Sequence, residues 1–446
     1  MRLIQPLCQS SFTLLLTLFI CGEVFAANLL DIYSLAKTQD RQWAAAQSHY
    51  QANIEKGPQA DALLLPSISL SASYAENQDT TKTSLGSITI DDTFTYNTQG
   101  YRLQLVQPIY NKSNFAGYKQ GQISVKAAEY ALSMSRAELI FKTTKAYLDI
   151  LSAQDALRTA RADELAVRKQ LNLMQRSYQV GSATSIDVQE AKARHDLSIS
   201  QTLLAQTRLN GTRQALRVII NRDPPALARV PEDKHLPAPK TTDIERLAQA
   251  AAANHFNVLA TEQFVAIAEM EAERNRGGHY PRLDLVASHT YNDAGGSVFG
   301  SESEVTSNQI MLQFTMPLFE GGRVGSKVRE ALARRNELRD NLEQLRRQAA
   351  QQARQIGMAL SNEHTRITRL HAAVTSNEKA LQATILGFEK GLRTGLDVLN
   401  SQQQLTRTRL ALSQARHGYL LNRLRLKIVL GIINEQDLNE INRLLG

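Results

Sequence analysis

Two stretches of this 446-residue chain, from about Ser113 to Gln179 and from about Arg323 to Lys390, contain neither proline nor an extended-strand pattern. Both are rich in Ala, Leu, Gln, Arg and Glu, residues that lose little freedom in a helix. At 1.5 Å per residue each predicts a helix of about 100 Å. No globular core can use a helix of that length, so the chain must build something elongated. Ala146, Ile150, Ala153 and Leu157, with Tyr147 and Leu151 alongside, keep a spacing suited to coiled-coil-like packing.

Each long stretch ends in the same phrase. YQVGSATSIDVQE (178–190) and FEKGLRTGLDVLN (388–400) repeat an aromatic, a glycine and an Asp-Val pair: Tyr178, Gly181, Asp187 and Val188 recur as Phe388, Gly391, Asp397 and Val398. The chain is therefore an internal repeat with a period near half its length. A second helix is predicted after each phrase, over about 187–221 and 397–430, where Ala205, Leu216 and Val218 correspond to Ala415, Leu426 and Ile428. The phrase is then the turn between two antiparallel helices, with Gly181 and Gly391 where the backbone needs freedom. Acidic residues are favoured at helix starts, so capping alone is a sufficient account of Asp187 and Asp397 taken singly.

Before each long helix the pattern changes to alternation. PSISLSASY (66–74) sets Ile68, Leu70, Ala72 and Tyr74 against serines, and GYRLQLVQPI (100–109) sets Tyr101, Leu103 and Leu105 against Arg102 and Gln104. In the second half Leu283, Leu285 and Ala287 share a face, as do Ile310, Leu312, Phe314 and Met316 opposite Gln313 and Thr315. Such strands face lipid on one side and water on the other. Strands are predicted over about 66–75, 100–110, 281–291 and 307–318, with polar surface loops at 75–99 and 291–307 and with Pro108 and Pro317 ending the pairing. The full division is a signal peptide (1–26), a first repeat (27–221) and an extended Pro-rich linker (222–241). A second repeat (242–431) opens with a helix at about 242–276, and a terminal segment (432–446) follows.

The signal peptide rests on Arg2, the apolar run Phe12 to Cys21, and Val24-Phe25-Ala26, which predicts cleavage after Ala26. Lipid modification at Cys21 is the rival reading, opposed by the bulk of Ile20. Cys8 and Cys21 both precede the cut, so the exported chain has no thiol chemistry. The net charge of +8 is scattered among Glu, Asp and Gln, which argues for a solvated helical surface and against nucleic acid. No GxSxG, P-loop or HExxH motif occurs, and His364 and His371 beside Glu363 read as a solvated face, so neither enzyme activity, metal nor cofactor is expected.

Four strands cannot close a membrane barrel, so the chain must oligomerise: two copies supply about eight strands and three about twelve, enough to leave a lumen. The order of elements over the whole mature chain, with GLRTGLDVLN and LSQARHGYLLNRLRLKIVLGIINEQDL as its most specific stretches, resembles the TolC family of outer-membrane efflux and secretion channels, and its TolC branch more than its lipoprotein branch. The resemblance implies a mainly α fold with a β-barrel part. Three copies would form a twelve-stranded barrel in outer-membrane lipid, four strands per chain, continued by a periplasmic α-helical barrel and an equatorial belt. The implied function is a passive, gated exit duct for type I protein secretion or multidrug efflux. Its implied partners are a periplasmic adaptor and an inner-membrane ABC or RND-type transporter. A non-porous periplasmic coiled-coil scaffold or adaptor is the alternative.

The resemblance also assigns sites. Asp397 matches the first acidic position of a constriction ring, but the second is Asn400, which implies weaker cation selectivity. Gln170, Tyr178, Asp187, Phe388, Arg393 and Arg416 fall in the gate network, with Phe388, Ile186 and Ile385 standing where the family has Tyr, Thr and Glu. Loss of those polar links leaves apolar packing as the rival means of closure. The adaptor-contact motif is matched in part by Val180-Gly181-Ser182 and Lys390-Gly391-Leu392.

Overall fold

A computed structural model describes residues 26–229, 231, 236–239, 243–297 and 301–444. The expected signal peptide lies outside these residues, apart from Ala26. The first repeat opens with three helices, α1 (Leu29–Gln39), α2 (Arg41–Ile54) and α3 (Lys56–Asp61), followed by strands β1 (Ser67–Leu85) and β2 (Ile88–Asn111). A 68-residue helix α4 (Lys112–Gln179) and its return α5 (Ser185–Ile220) complete the repeat. The second has α6 (Ile244–Asn254), α7 (Phe256–Arg276), β3 (Arg282–Ala294), β4 (Ser303–Thr315), the 67-residue α8 (Arg323–Glu389) and α9 (Gly395–Val429), and α10 (Glu435–Asn442) ends the fold.

The strands form one antiparallel sheet in the order β1-β2-β3-β4. Its register shows why the alternation matters. Ile68, Leu105, Ala287 and Ile310 lie in one row across the four strands, and Ser69, Gln104, Ser288 and Gln309 fill the next row on the opposite face. One face is thus apolar and the other hydroxyl- and amide-rich, as a wall between lipid and water requires. From Leu283 to Tyr291 the apolar band is about 20 Å tall at ordinary rise and tilt. At its far end Tyr101 stacks on Tyr291 with ring centroids 5.5 Å apart, beside His289, whose ring is hydrogen-bonded to Asn308 at 2.7 Å. This amphipathic belt marks a membrane boundary.

Three expectations are corrected. Residues 75–99 are not a surface loop: β1 and β2 stay paired as far as Leu85 and Ile88, around a turn in which Gly86 has φ +63°. Thr, Tyr, Phe and Ile, β-branched and aromatic residues that suit a pleated backbone, sustain the ladder there amid the Asp and Asn that made the stretch read as a loop. Likewise Pro108 does not end β2, which runs on to Asn111 through a register irregularity between Pro108 and Tyr110. The helix expected over 242–276 is interrupted at His255, whose Nδ1 accepts the Asn257 amide at 3.2 Å and so starts α7.

Neither long helix stands alone. α4 packs on α5 and α9 along its distal part and on α7 and α3 nearer the sheet, while α8 packs on α9, α7 and α6. Where the shorter helices meet end to end lies the main core. There Leu29, Ile32, Ile140, Tyr147, Leu148, Leu216, Tyr419, Leu420 and Leu438 are fully buried. The segment just before α1 joins this belt through the Ala27 amide, which donates to the Ala226 carbonyl at 2.7 Å. Tyr147 donates to the Ala228 carbonyl at 2.7 Å and Tyr419 to the Pro237 carbonyl at 2.6 Å. Two buried phenols thus clamp the inter-repeat segment onto α4 and α9. Removing one hydroxyl strands a buried carbonyl, at a cost of about 1–3 kcal/mol. Tyr147→Phe should therefore lower the thermal midpoint of the detergent-purified protein by several degrees; an unchanged midpoint would show that the clamp is not structural.

Candidate functional site at the helical tip

The repeated phrase folds into two nearly identical turns at the ends of the hairpins farthest from the sheet. After α4, Gly181 takes φ +75° and the Ser182 amide reaches back to the Ser177 carbonyl at 2.8 Å. After α8, Gly391 takes φ +72° and the Leu392 amide donates to the Gly387 carbonyl at 2.8 Å. These left-handed glycines satisfy the last carbonyls of each long helix. They also push apolar side chains into the open: Val180 is 78% and Leu392 77% exposed. Lys390 and Ser182 flank the glycines, with the Ser182 hydroxyl spent on the Ser177 carbonyl at 3.0 Å.

The return helices start with a device that was legible as Thr-x-x-Asp but not singled out from the sequence. Thr184 and Thr394 are the N-caps, and Asp187 and Asp397 stand at the third helical position. Asp187 accepts the Thr184 amide at 2.7 Å and its hydroxyl at 2.8 Å; Asp397 accepts the same groups of Thr394, both at 2.9 Å. These donors hold both carboxyls below the ordinary aspartate range, with Arg393 helping at Asp397 after the Thr394 groups. A depressed folded-state pKa means that the capping contribution is present at neutral pH and lost only as pH falls through that lowered value. Both aspartates are therefore anions that need no further partner.

Behind the turns sits a small separate core. Val167, Leu171 and Met174 of α4, Ala191 of α5 and Leu399 of α9 are buried together, and Val188 and Phe388 pack against them. Phe388 therefore joins α8 to both hairpins by packing. Gly395 allows the close approach of α9 to α4: a Cβ there would lie 2.7 Å from the Met174 sulfur and 3.1 Å from Gln170 Nε2. Gln170 is buried at this seam, and its Nε2 has no hydrogen-bond partner within the chain. Above it, buried Asp163 accepts the Thr406 hydroxyl at 2.7 Å, tying α4 to α9.

Not every residue assigned by resemblance gathers here. Arg194 of α5 donates to Asn400 Oδ1 and to Gln403 Oε1, both at 3.1 Å, so Asn400 is engaged across the two hairpins by a residue the sequence did not single out. Its repeat-related position is a glutamine, Gln404, so no pattern flagged it. No hydrogen bond or ion pair joins Asp187 to Arg393 among the described residues; the Arg393 stem instead covers Gly387, where a Cβ would meet it at 2.8 Å. Tyr178, Ile186 and Ile385 are exposed. Arg416 lies roughly 30 Å farther along α9 than Asp397. It donates to the Pro231 carbonyl at 2.5 Å beside buried His417, so within the chain it serves the inter-repeat belt rather than the tip. The proline-rich segment, whose carbonyls lack a ladder, supplies the acceptor that draws it there.

A sheet that is apolar outside and polar inside, continued by two helical hairpins of about 100 Å, defines a class of outer-membrane channel component. Residues 32–222 and 247–432 match the family described as outer membrane efflux protein, and the chain belongs to that family. It is 27% identical over 431 residues to outer membrane protein TolC of Escherichia coli K12, covering 94% of this chain and 85% of that protein. It is also 27% identical to the alkaline protease secretion protein AprF of Pseudomonas aeruginosa, covering 98% and 90% of the two chains. The fold matches the CmeC outer membrane channel of Campylobacter jejuni with a TM-score of 0.77 at 17% identity, over 100% of this chain and 98% of that one. The sheet accordingly lies in the outer membrane and the helices on its periplasmic side.

Phe388 offers a direct check of the packing at the tip. Phe388→Ala should cost about 2 kcal/mol of local stability, read as roughly thirtyfold faster amide exchange in the last turns of α8 and α9. Unchanged exchange there would mean that the polar links alone hold the seam.

Proposed function

We propose that three copies of this chain form a passive, gated exit duct that takes cargo from an inner-membrane transporter through the periplasm and across the outer membrane. The observation that carries this reading is the open-edged sheet: β1 and β4 each have one neighbour within the chain. Lipid offers no donors or acceptors to an open edge, so both must pair with other copies. Three copies supply twelve strands, which close at roughly 12 Å backbone radius and leave a lumen lined by the serine and glutamine face. The same threefold arrangement turns two helical hairpins per chain into a tube.

At the tip, threefold symmetry makes Asp397 a ring of three carboxylates, each already ionised by its own cap. Such a ring favours cations in the narrowest part of the duct. Asn400 adds no charge there and is held by Arg194. Closure then rests on the Phe388 core and the Gln170–Gly395 seam as much as on polar links, with Tyr178, Asp187 and Arg393 placed to meet neighbouring copies. Arg416 contributes through the belt that anchors α9. The exposed Val180-Gly181-Ser182 and Lys390-Gly391-Leu392 corners offer two similar apolar-and-glycine steps per chain, six around the ring, to a helical hairpin of a periplasmic adaptor. The energy source is an ABC or RND-type partner, since the chain carries no nucleotide-binding motif. Relatives named for protease secretion, AprF and the PrtF protein of Dickeya chrysanthemi, support type I protein secretion as the cargo route, and the family's description as outer membrane efflux protein supports efflux alongside it.

Planar-bilayer recording tests the reading. Wild type should give discrete small openings that prefer cations, Asp397→Ala should move the reversal potential in a salt gradient toward zero, and Arg194→Ala should raise conductance by loosening the hairpins. Silence from wild type and from Arg194→Ala alike would return the protein to the non-porous scaffold class.

A further inference from the structure

An apolar groove lies where α4, α7 and α8 meet, close beneath the sheet. Its floor is Phe264, Ile267 and Ala268 of α7 with Ala331 and Leu338 of α8, around a cavity of about 360 Å3. Every wall belongs to one chain, yet Phe264 remains 46% exposed, so the chain leaves the space open. At the rim, Gln120 of α4 donates to Glu271 Oε2 at 3.1 Å, Arg274 reaches the same oxygen at 3.3 Å, and Arg334 is paired with Glu330 at 2.7 Å. Each rim charge already has its counterpart. An apolar hollow ringed by polar groups is the form that a ligand groove takes.

The sheet shows on which side of the wall the groove opens. Tyr110 stands opposite Leu283, which stands opposite Phe314, in a row of the lipid face. Phe115, in the first turn of α4, lies against Tyr110 with ring centroids 6.1 Å apart, so that side of α4 continues the outer surface. Gln120 comes five residues later, which turns it about 140° around the helix from Phe115. The groove beside it therefore opens on the opposite surface, the continuation of the serine and glutamine face. In the threefold duct proposed above, that surface is the lumen. Gln120 lies roughly 13 Å along α4 from Asn111, which puts one groove per chain just below the barrel.

Location, size and rim charge together choose the occupant. Only molecules inside the duct can reach the groove. A cavity of about 360 Å3 admits one small molecule and no folded element. With the rim charges paired, the floor rewards apolar surface rather than net charge. We propose that the groove is a lumenal subsite for the apolar ring system of a small amphiphilic cargo molecule, whose polar end stays in the water of the duct. This rests on the duct reading and gives it a substrate class. A half-open groove buries one face of a flat molecule and leaves the other in water, so cargo rests on the wall and moves on, as conduction requires.

The test uses the full-length protein in lipid nanodiscs and in planar bilayers, with the dye anilinonaphthalene sulfonate as probe. After subtraction of empty nanodiscs, wild type should bind the dye saturably, at one site per chain. Ala268→Trp fills the groove and Ile267→Asp puts a charge on its floor, so each should weaken that binding roughly fivefold or more. Leu165→Asp, at an exposed position elsewhere on α4, should leave it unchanged. In bilayers the dye should lower the open-channel current of wild type and not that of Ala268→Trp. Binding retained by both groove variants, or a current insensitive to the dye while discrete channels still form, would overturn the subsite and leave the duct standing. Binding seen only after the assembly is dissociated into single chains would show that a second copy covers the groove, and would overturn the subsite as well. A preparation that forms no channel at all would remove the duct, and a lumenal subsite with it.

Discussion

Two rows of unpaired backbone amides and carbonyls govern this structure. β1 and β4 are the edges of a sheet whose outer face is built for hydrocarbon, and in hydrocarbon each unsatisfied backbone group costs several kcal/mol. No side-chain arrangement within one chain can meet that cost. Assembly of copies follows from the sheet, and the rest of the chain is shaped to suit it. In the proposed assembly the long helices, which lack a deep core of their own, find their remaining partners in the helices of other copies. That explains why α8 is mostly exposed in the isolated chain while the equatorial belt is densely packed.

The belt and the tip divide the mechanical work. At the belt, buried tyrosines, the segment around Ala27 and α10 lock the two repeats together; Lys427, for example, is paired with Asp437. At the tip, the contacts are fewer and of mixed kind. Each turn is self-sufficient, closed by its left-handed glycine and its Thr-x-x-Asp cap, so a turn can move as a unit without unravelling. What holds the turns in place is the small core around Met174 and Leu399, the Phe388 contact and the Arg194 bridge. A seam with one buried, unpartnered amide nitrogen at Gln170 is suited to opening.

Much of this was legible in the sequence, for physical reasons. Long proline-free helix formers, apolar alternation with serines between, and a glycine turn written twice are local patterns with local causes. The β1–β2 ribbon beyond Thr98 was missed because the alternation of Ile88, Ile90, Phe94 and Tyr96 is broken by Asp92 and set in a stretch rich in Thr, Asp and Asn, which reads as a loop. Asp187 and Asp397 were read as the caps of their helices, whereas the cap in each is the threonine three residues earlier and the aspartate is its third-position partner. Arg194 and the placement of Arg416 depend on which helix faces lie together in space, information that no single-helix pattern holds. Phe388 illustrates the opposite case: its departure from a family tyrosine already suggested packing, and the structure seats it against a buried cluster.

The most direct test of the account is the native mass of the purified, detergent-solubilised protein. Closure of the sheet edges as proposed predicts a particle of three chains and none of one. A monodisperse single chain, or a stable dimer, would contradict the twelve-stranded barrel and with it the threefold ring at Asp397.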